Sequence, residues 1–273
     1  VLLSGASGTG KEVVARYIHE LSERTEGPFL SINCGALPEG LLESELFGHV
    51  KGSFTGAVKD KDGLLVAAAG GTFLLDEIGE TSPATQVKLL RALQEREVIP
   101  VGATKPVPVH ARIIAATNRD LEEGIKRGDF RSDLYYRLNV IQLRLPQLRE
   151  RKEDIPLLAR YFLDSRAESD GADQSMDISD AAMDALVEYG WPGNVRELEN
   201  ALERAAVVAT GSSVTRDSLP ERVREAPPTR LAAEPIADNP TMEVIERAYI
   251  LWVLQAEGGN KSRAAEVLGI DPS

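Results

Sequence analysis

A glycine-rich segment near the start of the chain has the composition of a phosphate-binding loop. Its residues are, in order, Gly5, Ala6, Ser7, Gly8, Thr9, Gly10 and Lys11. Between an apolar run and a helical pattern, the backbone N–H groups of such a loop can surround a polyphosphate, and Lys11 would reach the β- and γ-phosphates. The usual pattern ends in Ser or Thr, which helps to hold Mg²⁺, whereas Glu12 stands here. The alternative is a strand-to-helix turn that binds no nucleotide.

Two adjacent carboxylates could supply the other half of a hydrolytic site. Asp76 and Glu77 directly follow the apolar run 72–75, which has the pattern of a strand. Ligands of parallel sheets bind at the carboxyl ends of the strands. Asp76 is therefore predicted to orient Mg²⁺ through water, and Glu77 to polarise the attacking water as a general base. The alternative is an acidic strand end followed by an ordinary turn.

Polar and cationic side chains further along could complete a site for phosphoryl transfer. Asn118 follows the strand pattern 112–116 and is expected between the carboxylate pair and the γ-phosphate, unless it only caps a loop. Arg131 and Arg137, six residues apart, could neutralise charge on the γ-phosphate. Arg196 stands at the start of a helical pattern in the second subdomain. It could reach the nucleotide if that subdomain closes over the site as a lid. A solvated helix face and a surface salt bridge are the alternatives for these arginines.

The elements that must position these residues follow an α/β pattern. Over residues 1–145, short β-rich apolar runs alternate with helical patterns at 12–23 and 83–95, which predicts a parallel sheet covered by helices. The first residues, Val1–Leu3, have the character of the end of a buried strand, so we expect the chain to be a fragment with sequence upstream.

The rest of the chain has a different periodicity. Strand signals disappear over 146–222, and a helical subdomain is predicted from the patterns at 155–162, 180–189 and 194–208. Four prolines without periodicity predict a linker over 223–240. Two short amphipathic helices, 242–255 and 261–268, are expected in the last segment, 241–273.

Composition limits the function classes. The 273 residues are 42% hydrophobic, enough for one large core and a smaller one, and a net charge of −12 argues against a surface that binds nucleic acid throughout. A single cysteine, Cys34, excludes an internal disulfide and fits a reducing compartment. The apolar runs are too short to span a membrane. A soluble, cytoplasmic protein without a membrane partner is expected.

The order of these motifs resembles the AAA+ domain of sigma-54-dependent transcription activators, the bacterial enhancer-binding proteins. The most specific resemblance is Glu45–His49 followed by Gly52–Ala57, which is similar to the family's GAFTGA loop with Ser in place of the first Ala. In that family the loop protrudes from a ring and contacts sigma-54. The resemblance implies that Phe54 and Thr55 make the contact, with Gly52 and Gly56 allowing the bend. A plain β-hairpin tip is the alternative.

The resemblance also implies roles for the candidate site. It implies that the protein binds and hydrolyses ATP with Mg²⁺ in a ring, a hexamer or heptamer. The family's phosphate loop ends in Lys-Glu, so Glu12 matches, whereas Ala6 departs from the usual Glu. Asn33 matches the residue that pairs with the catalytic glutamate, here Glu77, and relays nucleotide state to the loop. Arg131 and Arg137 match the family's pair of trans-acting arginines, which reach the nucleotide of a neighbouring subunit. Arg196 matches the family's lid sensor.

Residues 258–270 resemble the start of the Fis-type helix-turn-helix that binds enhancer DNA. The sequence ends about where the recognition helix would begin, so we expect DNA binding by the full-length C-terminal domain and not by this fragment. The resulting hypothesis is an ATPase that remodels sigma-54 RNA polymerase holoenzyme so that a closed promoter opens. Two other classes are a regulator that binds nucleotide and DNA without hydrolysis, and a small-molecule kinase with a phosphate-binding loop.

Overall fold

The computed structural model describes residues 1–170, 175–209 and 211–225, together with Ile250 and Arg263. Residues 1–226 form one compact unit and 227–273 another. The predicted boundaries at 145 and 222 stay predictions. The two helices expected in 241–273 lie outside the described residues, apart from Ile250 and Arg263, which are helical. Among the described residues, no helix has both the length and the apolar character needed to cross a membrane.

A five-stranded parallel sheet forms the centre of the α/β part. The strands of the described residues are, in chain order, β1 (Leu2–Ser4), β2 (Phe29–Asn33), β3 (Gly48–His49), β4 (Lys61–Asp62), β5 (Thr72–Asp76), β6 (Glu97–Val98), β7 (Val107–Pro108), β8 (Arg112–Thr117), β9 (Gln142–Arg144), β10 (Asp177–Ile178) and β11 (Ser213–Val214). The sheet has the order β2-β5-β8-β1-β9, with all pairs parallel. Its register pairs Asn33 with Asp76 and Ser4 with Thr117. Polar residues from four strands therefore meet at the carboxyl edge.

Helices cover the sheet and form the second part of the unit. They are α1 (Lys11–Glu20), α2 (Glu39–Phe47), α3 (Leu64–Ala67), α4 (Pro83–Glu95), α5 (Leu121–Arg127), α6 (Ser132–Leu138), α7 (Ile155–Asp170), α8 (Asp180–Glu188), α9 (Asn194–Val208) and α10 (Glu221–Arg224). Local signals explain several ends. The Ser82 hydroxyl accepts the Thr85 N–H, and Pro83 opens α4. Asp120 accepts the Glu123 N–H, and Gly128, at φ 82°, ends α5.

The strands are buried on both faces. Phe73 and Leu75 of β5 join the larger apolar core, whereas Leu74 packs with Leu3 and Ile114 on the opposite face, against α1. Successive strand residues point to opposite faces, so an unbroken apolar run fits a sheet covered on both sides.

The helical part of the unit, which contains α7 to α10, has its own core. Trp191, 1% exposed, packs with Leu148, Ile155, Leu198 and Leu202, and its indole N–H donates to the Leu186 carbonyl at 2.7 Å. The expectation that strands are absent from 146–222 is wrong in one respect, because β10 and β11 pair in parallel there. Strands of two residues are too short to produce a recognisable periodicity.

Candidate active site

A cavity of about 380 Å³ lies where the phosphate loop, the carboxylate pair and the helical part meet. From the α/β part it is lined by the phosphate loop and by Asp76 and Glu77, and from the helical part by residues of α7 and α9, Arg196 among them. The sequence had predicted this combination from three segments far apart in the chain. The described residues contain no group of three or more His, Cys, Asp or Glu side chains arranged to hold a metal ion.

The phosphate loop has a compact internal arrangement. The Lys11 ammonium donates to the carbonyls of Gly5 and Ala6 at 2.9 and 3.0 Å, and the Thr9 hydroxyl also donates to the Ala6 carbonyl. Gly8, at φ 76°, has no room for a side chain, because a Cβ atom would lie 2.3 Å from the Gly193 carbonyl oxygen. This glycine therefore allows the helical part to approach the loop closely.

Opposite charges face each other across this cavity in poorly solvated surroundings. Burial lowers the pKa of Lys11, the carboxylates of Asp76 and Glu77 oppose that change, and Arg196 adds to it. Burial raises the pKa of Asp76. The Glu77 N–H, which donates to Asp76 Oδ1 at 3.0 Å, and the positive charge of Lys11 both oppose this rise. Desolvation dominates both shifts, so charges in this cavity interact more strongly than they would in water.

Glu77 has an unusual backbone. It lies just beyond β5 with φ 53° and ψ 44°, in the left-handed region, and begins the 3₁₀ turn Ile78–Glu80. A left-handed conformation costs energy for a residue with a side chain, and such residues concentrate at functional sites.

Asn33 lies close to Glu77 without a direct hydrogen bond to it. Its Oδ1 accepts the Gly35 N–H at 2.8 Å. Both polar groups lie beside Gly35. A Cβ atom added to Gly35 would be 2.8 Å from Glu77 Oε2 and 3.4 Å from Asn33 Oδ1. The described residues show no Asn33–Glu77 hydrogen bond, so the pairing implied by the resemblance stays a prediction.

Asn118 does not line the cavity shared by Lys11 and Asp76. It borders a separate polar cavity of about 490 Å³, together with Gly5, Ala6 and Tyr135. β8 ends at Thr117, whose hydroxyl accepts the Arg119 N–H at 3.0 Å, and Asn118 lies in the bend that follows the strand. The expected position of Asn118 between the carboxylate pair and the γ-phosphate stays a prediction.

Of the three candidate arginines, only Arg196 lines the cavity. Arg131 precedes α6 and forms an ion pair with Asp133 at 2.6 Å. Arg137, in the last turn of α6, donates to the Leu93 carbonyl at 3.2 Å. Arg131 and Arg137 are exposed and lie outside the cavity of their own chain.

Residues 52–57 form the tip of a hairpin between β3 and β4. The Gly52 N–H donates to the Ala57 carbonyl at 2.9 Å, and the Ala57 N–H to the Phe54 carbonyl at 3.1 Å. Gly52 and Gly56 have φ values of 82° and 107°. Thr55 is exposed at the tip. The loop is thus folded on itself while its surface faces solvent.

The Phe54 ring packs on the base of the hairpin. It is 45% exposed and lies edge-on to the His49 ring, with the ring centroids 5.0 Å apart. His49 Nδ1 is hydrogen-bonded to the buried Ser44 hydroxyl of α2 at 2.7 Å. Sequence reasoning assigned no role of its own to His49 or Ser44, since neither contact can be inferred from spacing.

Sequence reasoning also missed two residues that contact the phosphate loop from the helical part. The Asn194 amide donates to the Ser7 carbonyl at 2.9 Å, and Arg151 donates to the Thr9 carbonyl at 3.0 Å. The only local signal was the Pro-Gly pair before Asn194, which is typical of a helix start.

Family models match nearly the whole chain. Residues 1–144 match the sigma-54 interaction domain. The chain belongs to this family. Residues 149–235 match the AAA+ ATPase lid domain, and 241–273 match the bacterial regulatory protein, Fis family. The predicted α/β AAA+ fold with a helical lid is confirmed.

The chain is similar to known transcription regulators over part of their length. It is 52% identical over 270 residues to the transcriptional regulatory protein ZraR of Escherichia coli K12, covering 99% of the chain and 60% of ZraR. The Nif-specific regulatory protein of Klebsiella pneumoniae is 49% identical over 274 residues, 100% of the chain and 52% of that protein. Thus the chain spans little more than half of these relatives.

A solved structure has the same fold. NtrX from Brucella abortus in complex with ADP superposes with a TM-score of 0.76 at 37% identity, over 99% of this chain and 62% of NtrX. The fold of this chain is therefore shared with an experimentally determined relative.

The environment of Cys34 gives a test of the site in solution. Cys34 is 3% exposed, and burial together with Asp76 and Glu77 raises its pKa to about 12. Thiols react as thiolates, whose fraction at pH 8 would be about 10⁻⁴. We expect no reaction of the native chain with a thiol-specific disulfide reagent, and one thiol per chain after unfolding in guanidinium. Rapid stoichiometric reaction of the folded chain would contradict this arrangement.

Proposed function

We propose that this chain is the ATP-hydrolysing part of a sigma-54-dependent transcription activator, and that it uses hydrolysis to remodel sigma-54 RNA polymerase holoenzyme. The observation that carries the proposal is one cavity lined by a phosphate loop, a carboxylate pair and a lid arginine. It occurs in a member of the sigma-54 interaction domain family. The solved NtrX structures include complexes with ADP and with ATP, which supports nucleotide binding here.

The residues present fit a magnesium ion carried by the nucleotide. One Asp76 oxygen accepts the Glu77 N–H, and the described residues provide no cluster of protein ligands around it. Mg²⁺ commonly keeps several waters and binds through substrate phosphates with one or two carboxylates. Asp76 would hold such an ion, which when bound would neutralise part of the phosphate charge. Glu12 also lies at the cavity.

Hydrolysis would follow from the remaining groups. The N–H groups of the phosphate loop and the Lys11 ammonium would hold the β- and γ-phosphates. Glu77 would accept a proton from the water that attacks the γ-phosphorus, while the bond to the β-phosphate oxygen breaks and ADP leaves. Arg196 would stabilise the negative charge on the transferred group from the lid side.

The two exposed arginines support a site shared between subunits. Because Arg131 and Arg137 lie outside their own cavity, they are available to a neighbouring chain. A head-to-tail interface that closes into a ring would bring them to the neighbour's γ-phosphate. We therefore propose a hexameric or heptameric ring with trans-acting arginines.

A series of contacts leads from the carboxylate pair to the hairpin tip. The 3₁₀ turn after Glu77 leads to Ser82, whose hydroxyl is hydrogen-bonded to Glu39 of α2. At the other end of α2, Ser44 is bonded to His49, on which Phe54 packs. We propose that nucleotide turnover shifts the hairpin tip through these contacts. This shift would change how Phe54 and Thr55 contact sigma-54. Enhancer DNA would bind through the full-length Fis-type domain.

Replacing the proposed base tests hydrolysis. In Glu77→Gln, the side chain keeps its size but cannot accept the proton, so steady-state phosphate release should fall about 10²–10⁴-fold. Nucleotide affinity, measured by calorimetry, should change little. Glu95→Gln, at an exposed ion pair on α4, is the matched control and should retain turnover. A Glu77→Gln chain that hydrolyses ATP at the parent rate would refute this role.

Variants of the hairpin tip test the sigma-54 contact. Phe54→Ala and Thr55→Ala should abolish capture of purified sigma-54 in the presence of a slowly hydrolysed ATP analogue, because both side chains are exposed at the tip. Their ATP turnover should persist. Val58→Ala, in the same loop and 79% exposed, should behave as the parent in both assays. Undiminished capture by Thr55→Ala would contradict the proposed contact and favour another substrate.

A further inference from the structure

The helical part donates hydrogen bonds to three successive carbonyl groups of the phosphate loop. The Asn194 side-chain amide donates to Ser7, the Val195 backbone N–H to Gly8, and the Arg151 guanidinium to Thr9, at 2.9, 2.9 and 3.0 Å. The three donors come from two places, the start of α9 and the turn around Arg151. Three successive carbonyl groups of the loop are therefore held by the lid.

Asn194 is the most constrained of these donors. It is 1% exposed, and its Oδ1 accepts the buried Leu148 N–H at 3.0 Å. Its backbone is left-handed at φ 54°, a conformation that Asn adopts more readily than most residues. One side chain thus joins the phosphate loop to Leu148, near the entry of the helical part, and to the first turn of α9.

These hydrogen bonds to the loop carbonyls also set the direction of the N–H groups of the loop. In a trans peptide the C=O and the next N–H point in opposite directions. With the Ser7, Gly8 and Thr9 carbonyls turned toward the lid, the next N–H groups, those of Gly8 to Gly10, point away from it. Within the described part of the chain these N–H groups donate to no other residue. Successive free N–H groups of this kind are the usual anion-binding element of phosphate loops.

We propose that Asn194 and Arg151 are positioning residues for the nucleotide. They hold the carbonyl groups of the phosphate loop toward the lid, so that the lid and the polyphosphate site change shape together. The inference rests on the proposed nucleotide binding. By linkage, a lid that shapes the loop for phosphate must itself be held more firmly when phosphate is bound. A purely structural role for Asn194 would stabilise the fold without this coupling.

The decisive variant is Asn194→Asp in the whole 273-residue chain. Asp keeps the shape, tolerates the left-handed backbone and retains the acceptor for Leu148, but it presents an oxygen to the Ser7 carbonyl where a donor is needed. Trp191→Phe is the matched control, because it removes a buried hydrogen bond, to Leu186, that lies inside the helical part. Arg151→Gln is a second variant at a partly exposed position, which guards against a folding defect of Asn194→Asp.

The measurements are ADP affinity by calorimetry and the KM and kcat for ATP. We expect Asn194→Asp to weaken ADP binding and to raise KM by about 10-fold or more, and Arg151→Gln by about 5-fold, with smaller changes in kcat. Trp191→Phe should lower the melting temperature but leave ADP affinity within about 2-fold of the parent. ADP should slow hydrogen exchange of the Val195 amide in the parent more than in Asn194→Asp.

Two results would overturn the inference in distinguishable ways. If Asn194→Asp and Arg151→Gln bind ADP as Trp191→Phe does, the lid contacts are only structural, while the proposed function stands. If the parent chain binds no ADP, the proposed function fails, and the positioning role fails with it.

Discussion

The close contact between the phosphate loop and the start of α9 is the constraint on which the rest of the site depends. It requires glycine at position 8, where a Cβ would lie 2.3 Å from the Gly193 oxygen, and it buries Asn194 between the two parts. It also brings Arg196 into the cavity that contains Lys11 and Asp76. Without this contact the α/β part would present an open loop, and the lid would contribute no charge to the site.

Desolvation gives the site its chemistry. The pKa shifts of Lys11 and Asp76 both result mainly from burial, so a bound polyphosphate would interact with charges that water screens poorly. The two remaining arginines have the opposite character, because Arg131 and Arg137 are exposed, with Asp133 and the Leu93 carbonyl as their partners. This division suits a site in which one chain binds the nucleotide and its neighbour contributes part of the catalytic charge.

Local signals explain which features could be predicted from the sequence. The limits of α4 and α9 agree with prediction because caps and periodicity are encoded nearby, and the position of Asp76 and Glu77 follows from a strand end. The sequence did not predict β10 and β11, because strands of two residues are too short to produce a recognisable periodicity. The contacts of Asn194 depend on packing between segments 187 residues apart, which no local pattern contains.

A ring with shared active sites is tested most directly by ATP turnover per chain as a function of protein concentration, for the parent, Arg137→Ala and Arg127→Ala. Arg127 is an exposed arginine paired with Asp129, away from the cavity, and serves as the control. Trans-acting arginines predict specific activity that rises with concentration, is lost in Arg137→Ala and is retained in Arg127→Ala. Turnover that is independent of concentration and survives Arg137→Ala would contradict the shared site and indicate a monomeric enzyme.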